Sequence, residues 1–254
     1  MKDIYRYGED INSHDLLKIL AITTMIADHV GRFYFPGVVW WRIVGRMAAP
    51  QFFFLIGYSG SYRFKRDILI YGIALFAVDF LTDRSVSLAG QIMPVNMLIS
   101  FVIIKAVLNE FDPARIPTEF LVLAFATLMV LSLPTYLLIE YGTFGLCYAI
   151  GARLLRQRHG FPRRWMTMTV AAHFVFEFIF TLVLNPTMSM EAFPFAAGLL
   201  VILFATNLLI FVKYDFRVFK VRPKHLRTVS AYVSRYSLQI YFFHLSIFMI
   251  LNSF

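Results

Sequence analysis

The sequence predicts an all-α fold, a polytopic membrane bundle of about nine transmembrane helices forming one domain over residues 1–254. Three observations predict it. Hydrophobic residues make up 59% of the chain and charged ones only 15%, against roughly 45–50% and about 25% in a soluble domain. Apolar runs approaching the ~20 residues a bilayer crossing needs recur from residue 15 to residue 252. Strongly basic loops follow alternate runs, as the orientation of membrane proteins requires.

The runs place spans near 15–35, 38–60, 66–82, 91–109, 118–133, 135–153, 164–185, 191–213 and 230–252. The fifth and sixth are separated only by the turn at Leu133-Pro134, which can also be read as a kink in one long helix. The first fourteen residues are polar and mixed in sign, so the first span is expected to direct insertion without a cleavable signal peptide. Basic loops follow the second span at 62–66, the sixth at 153–164 and the eighth at 213–227, whereas the loop at 186–190 has no Lys or Arg. Lys and Arg mark the cytoplasmic side, which predicts a cytoplasmic N-terminus and an outside C-terminus. The net charge of +9 records that orientation and a lipid bilayer as partner, not nucleic-acid binding.

With this topology the first, third, seventh and ninth spans run outward. Asp28, His29, Asp79, Glu177 and His244 then lie 13–14 residues beyond the inner ends of their spans, roughly 20 Å up at 1.5 Å per residue. Arg32 tops the first span, and Arg42 and Arg46 lie near the outer end of the inward-running second span. Ionisable residues from five predicted helices therefore share one level, where a charge in hydrocarbon costs at least ~2.5–3.5 kcal/mol unless it faces protein or water.

His29 is the candidate general base, because imidazole exchanges a proton near neutral pH. Neighbours on a helix point about 100° apart, so Asp28 does not orient His29. It is placed to pair with Arg32 at i, i+4, and the carboxylate for His29 is expected from Asp79 or Glu177. Arg46, beside Gly45, and Arg42 can hold an anion or a developing oxyanion. His173 and Glu177 share a face one turn apart and read best as a structural pair. No metal site is expected. Cys147 is the single cysteine, which excludes an internal disulfide and suggests neither a zinc cage nor a thiol enzyme. His244 is a candidate supporting residue, and Arg153, Arg156 and Arg164 in the basic loop can dock an acidic cofactor.

Asp28-His29-Val30-Gly31, then Arg42-Ile43-Val44-Gly45-Arg46-Met47-Ala48-Ala49-Pro50 and Phe52-Phe53-Phe54, resembles the TraX family of conjugal-transfer pilin acetylation proteins. The closing Tyr236–Leu245 stretch is similar to that family's last span. Asp15, Lys18, Ala21 and His29 also keep the spacing of a first-helix pattern in the related membrane acyltransferase-three family. Lys18 replaces that family's arginine, giving up a bidentate grip, and Tyr58-Ser59-Gly60 stands where TraX proteins have Glu-Gly. The specific motifs cover about a fifth of the chain.

The resemblance implies an enzyme of the bacterial inner membrane that moves an acetyl group from cytosolic acetyl-CoA to an acceptor outside. That acceptor is an amine or hydroxyl, such as a pilin N-terminus or a surface glycan. The resemblance carries catalysis onto His29 and supporting roles onto Asp28, Arg46 and His244; Lys18 joins the basic-loop arginines as a candidate for cofactor contact. The competing class is a proton-coupled transporter using Asp28, His29, His173 and Glu177 as a relay. No visible inverted repeat favours it. A non-catalytic scaffold would leave the polar layer without a purpose.

Overall fold

The computed structural model describes residues 11–62, 66–82, 96–136, 138–157, 162–183, 189, 191–219 and 224–253. The first ten residues, on which the signal-peptide expectation partly rests, lie outside them. So do the start of the fourth predicted span, most of 186–190, and the parts of the basic loops at 63–65, 158–161 and 220–223.

The described residues are almost wholly helical. Helix α1 spans Ser13–Tyr34 and starts at a reciprocal cap. The Asn12 side chain accepts from the Asp15 amide at 3.0 Å, and Asp15 accepts from the Asn12 amide at 3.2 Å, so each satisfies one of the orphan donors of a helix start. Just before it, β1 (Ile11–Asn12) pairs antiparallel with β2 (Val218–Phe219), Ile11 opposite Phe219 and Asn12 opposite Val218. This two-residue ribbon, absent from the all-α expectation, ties the start of α1 to the loop following the eighth predicted span.

The second predicted span is two helices, α2 (Val39–Gly45) and α3 (Ala48–Ser59), with a break at Arg46–Met47. Pro50 explains it: proline donates no amide hydrogen bond and its ring crowds the carbonyl four residues earlier, that of Arg46. The break therefore falls beside the candidate arginine. Helices α4 (Arg66–Thr82) and α5 (Met97–Glu110) follow, the latter capped by the Asn96 side chain on the Leu98 and Ile99 amides at 3.1 and 3.3 Å.

Helix α6 (Thr118–Tyr136) carries Pro134 within its last turn, and α7 begins only at Phe144 and ends at Arg156. The expected turn at Leu133-Pro134 is thus displaced to 138–143, where the chain reverses through Tyr141 (φ 65°) and Gly142 (φ 46°). Irregular backbone at membrane depth is tolerated where it lines a cavity, which this turn does. Helix α8 (Pro162–Glu177) continues as a π-turn over Phe178–Val183, and α9 spans Phe193–Val212. The ninth predicted span is also broken, into α10 (Lys224–Arg235) and α11 (Ser237–Asn252).

Three helical segments, Thr118–Tyr136, Pro162–Val183 and Phe193–Val212, are long and apolar enough to cross a membrane. Their outward faces carry large apolar side chains: Val130 is 76% exposed and Phe195 74%. In water such surface is a liability, whereas lipid covers it without cost, so the chain is a membrane protein. The interior centres on α3 packed against α1 and α7. A Cβ at Gly57 would lie 2.0 Å from the Ala149 carbonyl oxygen, so glycine permits the close approach of α3 to α7. Phe54 stacks on Phe211 with centroids 4.6 Å apart, and the buried Trp165 indole donates to the Cys147 carbonyl at 2.8 Å. A rigid core of this kind holds the polar cavity beside it in shape.

Candidate functional site

The aligned ionisable residues of α1 and of the α2 break meet around one cavity of about 200 Å³, with Glu177 of α8 and His244 of α11 bonded to residues of its wall. Helix α1 supplies Asp28, His29 and Arg32 to its wall, α2 and the break after it supply Arg42 and Arg46, and α11 supplies Tyr241. Arg32 is exposed, whereas the side chains of Arg42 and Arg46 fall to 29% and 16% exposure. Three guanidinium groups of decreasing exposure therefore line the cavity.

His29 is buried, and its partner is His244 rather than a carboxylate. His29 Nδ1 lies 2.7 Å from His244 Nε2, and His244 Nδ1 lies 2.6 Å from the Ile240 carbonyl oxygen. A carbonyl only accepts, so His244 Nδ1 donates to it. In the neutral ring His244 Nε2 must then accept, and His29 Nδ1–H donates to it. The chain of bonds leaves the lone pair on His29 Nε2. The two rings stack at 4.9 Å, with Tyr241 edge-on to both at 6.1 Å, so aromatic packing holds the pair in register. The carboxylate that the sequence reading expected from Asp79 or Glu177 is thus replaced at this nitrogen by a second imidazole. Asp79 is half-buried on α4 and is not among the residues lining the cavity.

Asp28 pairs with Arg42, at 2.8 Å between Oδ2 and Nη1, and not with Arg32 as the i, i+4 spacing suggested. The reason is the crossing of α1 and α2 at Gly45. A Cβ there would lie 2.4 Å from Asp28 Oδ1, so the bare backbone lets the carboxylate reach the next helix. Asp28 Oδ1 is buried with no hydrogen-bond partner among the described residues.

Arg46, in the cavity wall, forms a buried ion pair with Glu177 of α8, Nε to Oε2 at 3.1 Å. The approach is ionic rather than a linear hydrogen bond, since Arg46 Nε has no partner at hydrogen-bonding angles. Glu177 also accepts from Thr181 Oγ1 at 2.7 Å, across the π-turn that begins one residue later. His173 follows on the same face with Nε2 3.5 Å from Glu177 Oε1, while its Nδ1 faces the Tyr148 hydroxyl at 3.1 Å. The two side chains meet one turn apart, as their shared face predicts. Among the described residues no group of three His, Cys, Asp or Glu side chains could hold a metal ion.

The cofactor candidates lie away from the cavity. Arg153 donates to the Leu108 and Phe111 carbonyls, pairs with Asp112 at 3.1 Å and covers the Tyr62 ring at 4.6 Å; it caps the end of α5. Asp112 is held below the usual carboxylate range: partial burial works to raise it, and the Gln157 amide and Arg153 outweigh that. Arg156 donates to the Tyr58 carbonyl at 3.0 Å beside Gly60, whose φ of 65° ends α3. Lys18 donates to Ser234 Oγ at 3.3 Å, and that hydroxyl in turn donates to Asp15. Arg164 is exposed.

Three polar lining residues were not expected from the sequence: Tyr136 at the end of α6, and Glu140 and Tyr141 in the α6–α7 turn. Glu140 Oε2 accepts from the Met97 amide at the start of α5, at 2.8 Å. Its sequence signal was a carboxylate four residues after a tyrosine inside an apolar run, obscured by placing a helix across 135–153.

The family profile described as TraX protein matches residues 13–252. An uncharacterized protein of Rickettsia prowazekii (strain Madrid E) is 33% identical over 135 residues, 52% of this chain and 51% of that protein. The chain thus matches about half the length of that curated relative. No solved structure matches. The cavity with its histidine pair, both broken helices that shape it and the closing α11 all fall within the matched residues, and the chain belongs to the TraX protein family.

Proposed function

We propose that the protein is a multi-pass acyltransferase of the bacterial inner membrane, nine-spanned, with its N-terminus cytoplasmic and its C-terminus outside. It moves an acetyl or other short acyl group from cytosolic acyl-CoA to an amine or hydroxyl acceptor at the outer face, a pilin N-terminus or a surface glycan. The observation that carries this is the His29–His244 pair, whose hydrogen bonds leave an unprotonated imidazole nitrogen on His29, a residue lining an arginine-rich cavity.

The chemistry follows from the groups present. The acceptor's nitrogen or oxygen attacks the thioester carbonyl carbon while His29 Nε2 takes its proton. The new C–N or C–O bond forms, the carbonyl electrons move onto oxygen, and a guanidinium of Arg46 or Arg42 stabilises that oxyanion. Collapse breaks the C–S bond, and the proton on His29 passes to the departing thiolate, giving free CoA. His244 fixes the tautomer of His29 and disperses the charge it gains. Asp28 holds Arg42, and Glu177 holds Arg46, so the two guanidinium groups are oriented before substrate arrives. The acyl donor's phosphates sit by the basic cytoplasmic surface, where Lys18, Arg153, Arg156 and Arg164 lie.

Purified protein incubated with radiolabelled acetyl-CoA and an amine acceptor is expected to transfer label or release CoA above the buffer rate. Proton-coupled uptake into vesicles without label transfer or CoA release would overturn the acyltransferase function in favour of a transporter.

A further inference from the structure

The cations at the two ends of the bundle's basic surface are used differently. Arg153 and Arg156, at the end of α7, turn inward and donate to carbonyls closing α5 and α3. Between residues 213 and 235 the chain carries seven Lys or Arg against one Asp. Among the described residues of that stretch Lys213, Arg217 and Arg235 are exposed. Cations at this density, beside a membrane helix and on an amphipathic one, are the pattern that holds anionic lipid headgroups.

The helix that this stretch leads into has the matching shape. Helix α10 turns Ser234 inward, where it is buried, and exposes Val229 and Tyr232, with Tyr236 exposed at the break that follows. At i, i+3 and i+7 these three share one face. Tyr232 and Tyr236 stack with centroids 5.9 Å apart, and the Arg235 guanidinium lies 5.7 Å from the Tyr236 ring. The apolar helix α11 begins at the next residue, so the tyrosines stand at the end of an apolar helix, where rings with a polar tip meet the headgroups. An apolar-aromatic face flanked by arginine is the surface of a helix that lies against a membrane.

This surface is fastened to α1 at two points. The β1–β2 ribbon joins Phe219 to Ile11, just before α1 starts. On α10, Ser234 accepts from Lys18 Nζ at 3.3 Å and donates to Asp15. Helix α1 runs unbroken from Ser13 to Tyr34, so the residues clamped at its start and the Asp28–His29 pair belong to one element.

We infer that α10 and the basic segment leading into it dock on anionic phospholipid headgroups, and that the docked helix holds α1 in place through Ser234. Val229, Tyr232 and Tyr236 face the acyl-chain boundary, and Lys213, Arg217 and Arg235 meet the phosphates. The choice of leaflet and the effect on acyl transfer rest on the function proposed above; the lipid selectivity does not.

The test reconstitutes the full chain in phosphatidylcholine vesicles with a trace of spin-labelled lipid, either phosphatidylglycerol or phosphatidylcholine, and measures the motionally restricted fraction. Wild type is expected to restrict the anionic label about threefold or more over the neutral one, with the ratio falling at high salt. Lys213→Gln/Arg217→Gln/Arg235→Gln should bring the ratio close to one. A wild-type ratio of one, or a ratio that the triple variant retains, would overturn the docking surface. If the triple variant fails to fold, Arg235→Gln alone is expected to lower the ratio about twofold, and no change contradicts the proposal. Displacement of the anionic label by micromolar acetyl-CoA would assign the cations to the donor's phosphates and also overturn it. Acetyl transfer should run about threefold or more faster once phosphatidylglycerol is added to the vesicles. Ser234→Ala should keep the label selectivity and lose that acceleration; acceleration unchanged in Ser234→Ala would remove the coupling through α1. Label selectivity in a protein with no acetyl transfer would keep the docking surface and remove the acyltransferase function, so the two fail separately.

Discussion

Replacing Glu177 by alanine is expected to destabilise the fold by about 3–5 kcal/mol, the cost of leaving a buried charge without its partner. The Glu177 side chain is 1% exposed and that of Arg46 16%. Glu177 is also the acceptor for Thr181 and lies beside His173, itself fully buried. Loss of the carboxylate strands the Arg46 guanidinium at the helix break. The measurement is thermal unfolding of detergent-solubilised protein, with a midpoint lowered by about 10 °C or more. The double variant Arg46→Met/Glu177→Leu should recover much of that loss, because replacing both partners by apolar groups removes the uncompensated charge. If the double variant is as unstable as the single one, the pair is not the source of the effect.

His29→Ala is expected to lower acetyl transfer by about 10²–10⁴-fold, the range for removal of a general base, with little change in stability. The distinction from Glu177 is physical. His29 is neutral and hydrogen-bonded to another neutral ring, so its removal leaves an unpaired acceptor on His244 rather than a naked charge. His244→Ala should cost less than His29→Ala, because it frees the tautomer of His29 without removing the reacting nitrogen. Initial rates with labelled acetyl-CoA for the two variants check both the size and the order. Equal losses would mean that the rings act as one packing unit.

The fold was legible in the sequence wherever apolar length decides it. Thr118–Tyr136 and Phe193–Val212 lie close to where the hydrophobic runs put them. Interruptions were less visible. Pro50 stands in plain view, but a span of apolar residues on either side reads as continuous until the crowded Arg46 carbonyl is considered. The break at Tyr236 carries no proline, and the turn at 138–143 depends on a left-handed tyrosine that no residue preference signals.

At the site, depth was legible and direction was not. Counting residues from the inner ends brought Asp28, His29, Asp79, Glu177 and His244 to the level of Arg42 and Arg46; all but Asp79 lie in the cavity wall or bonded to it. Pairing depends on how each helix is rotated and how closely it approaches its neighbour. Asp28 therefore reaches Arg42 across Gly45 instead of Arg32 along its own helix, and His29 meets His244, 215 residues away in sequence. Glu140 was missed because its place in the cavity comes from the turn, not from any periodic pattern.

The most direct test places the protein in sealed vesicles with labelled acetyl-CoA on one side and a membrane-impermeant amine peptide on the other. Wild-type protein is predicted to put label on the peptide, and His29→Ala of equal folded content to leave it unlabelled. Label transfer by His29→Ala at the wild-type rate, or none by wild type in either orientation, would contradict a His29-based acyl transfer across the membrane.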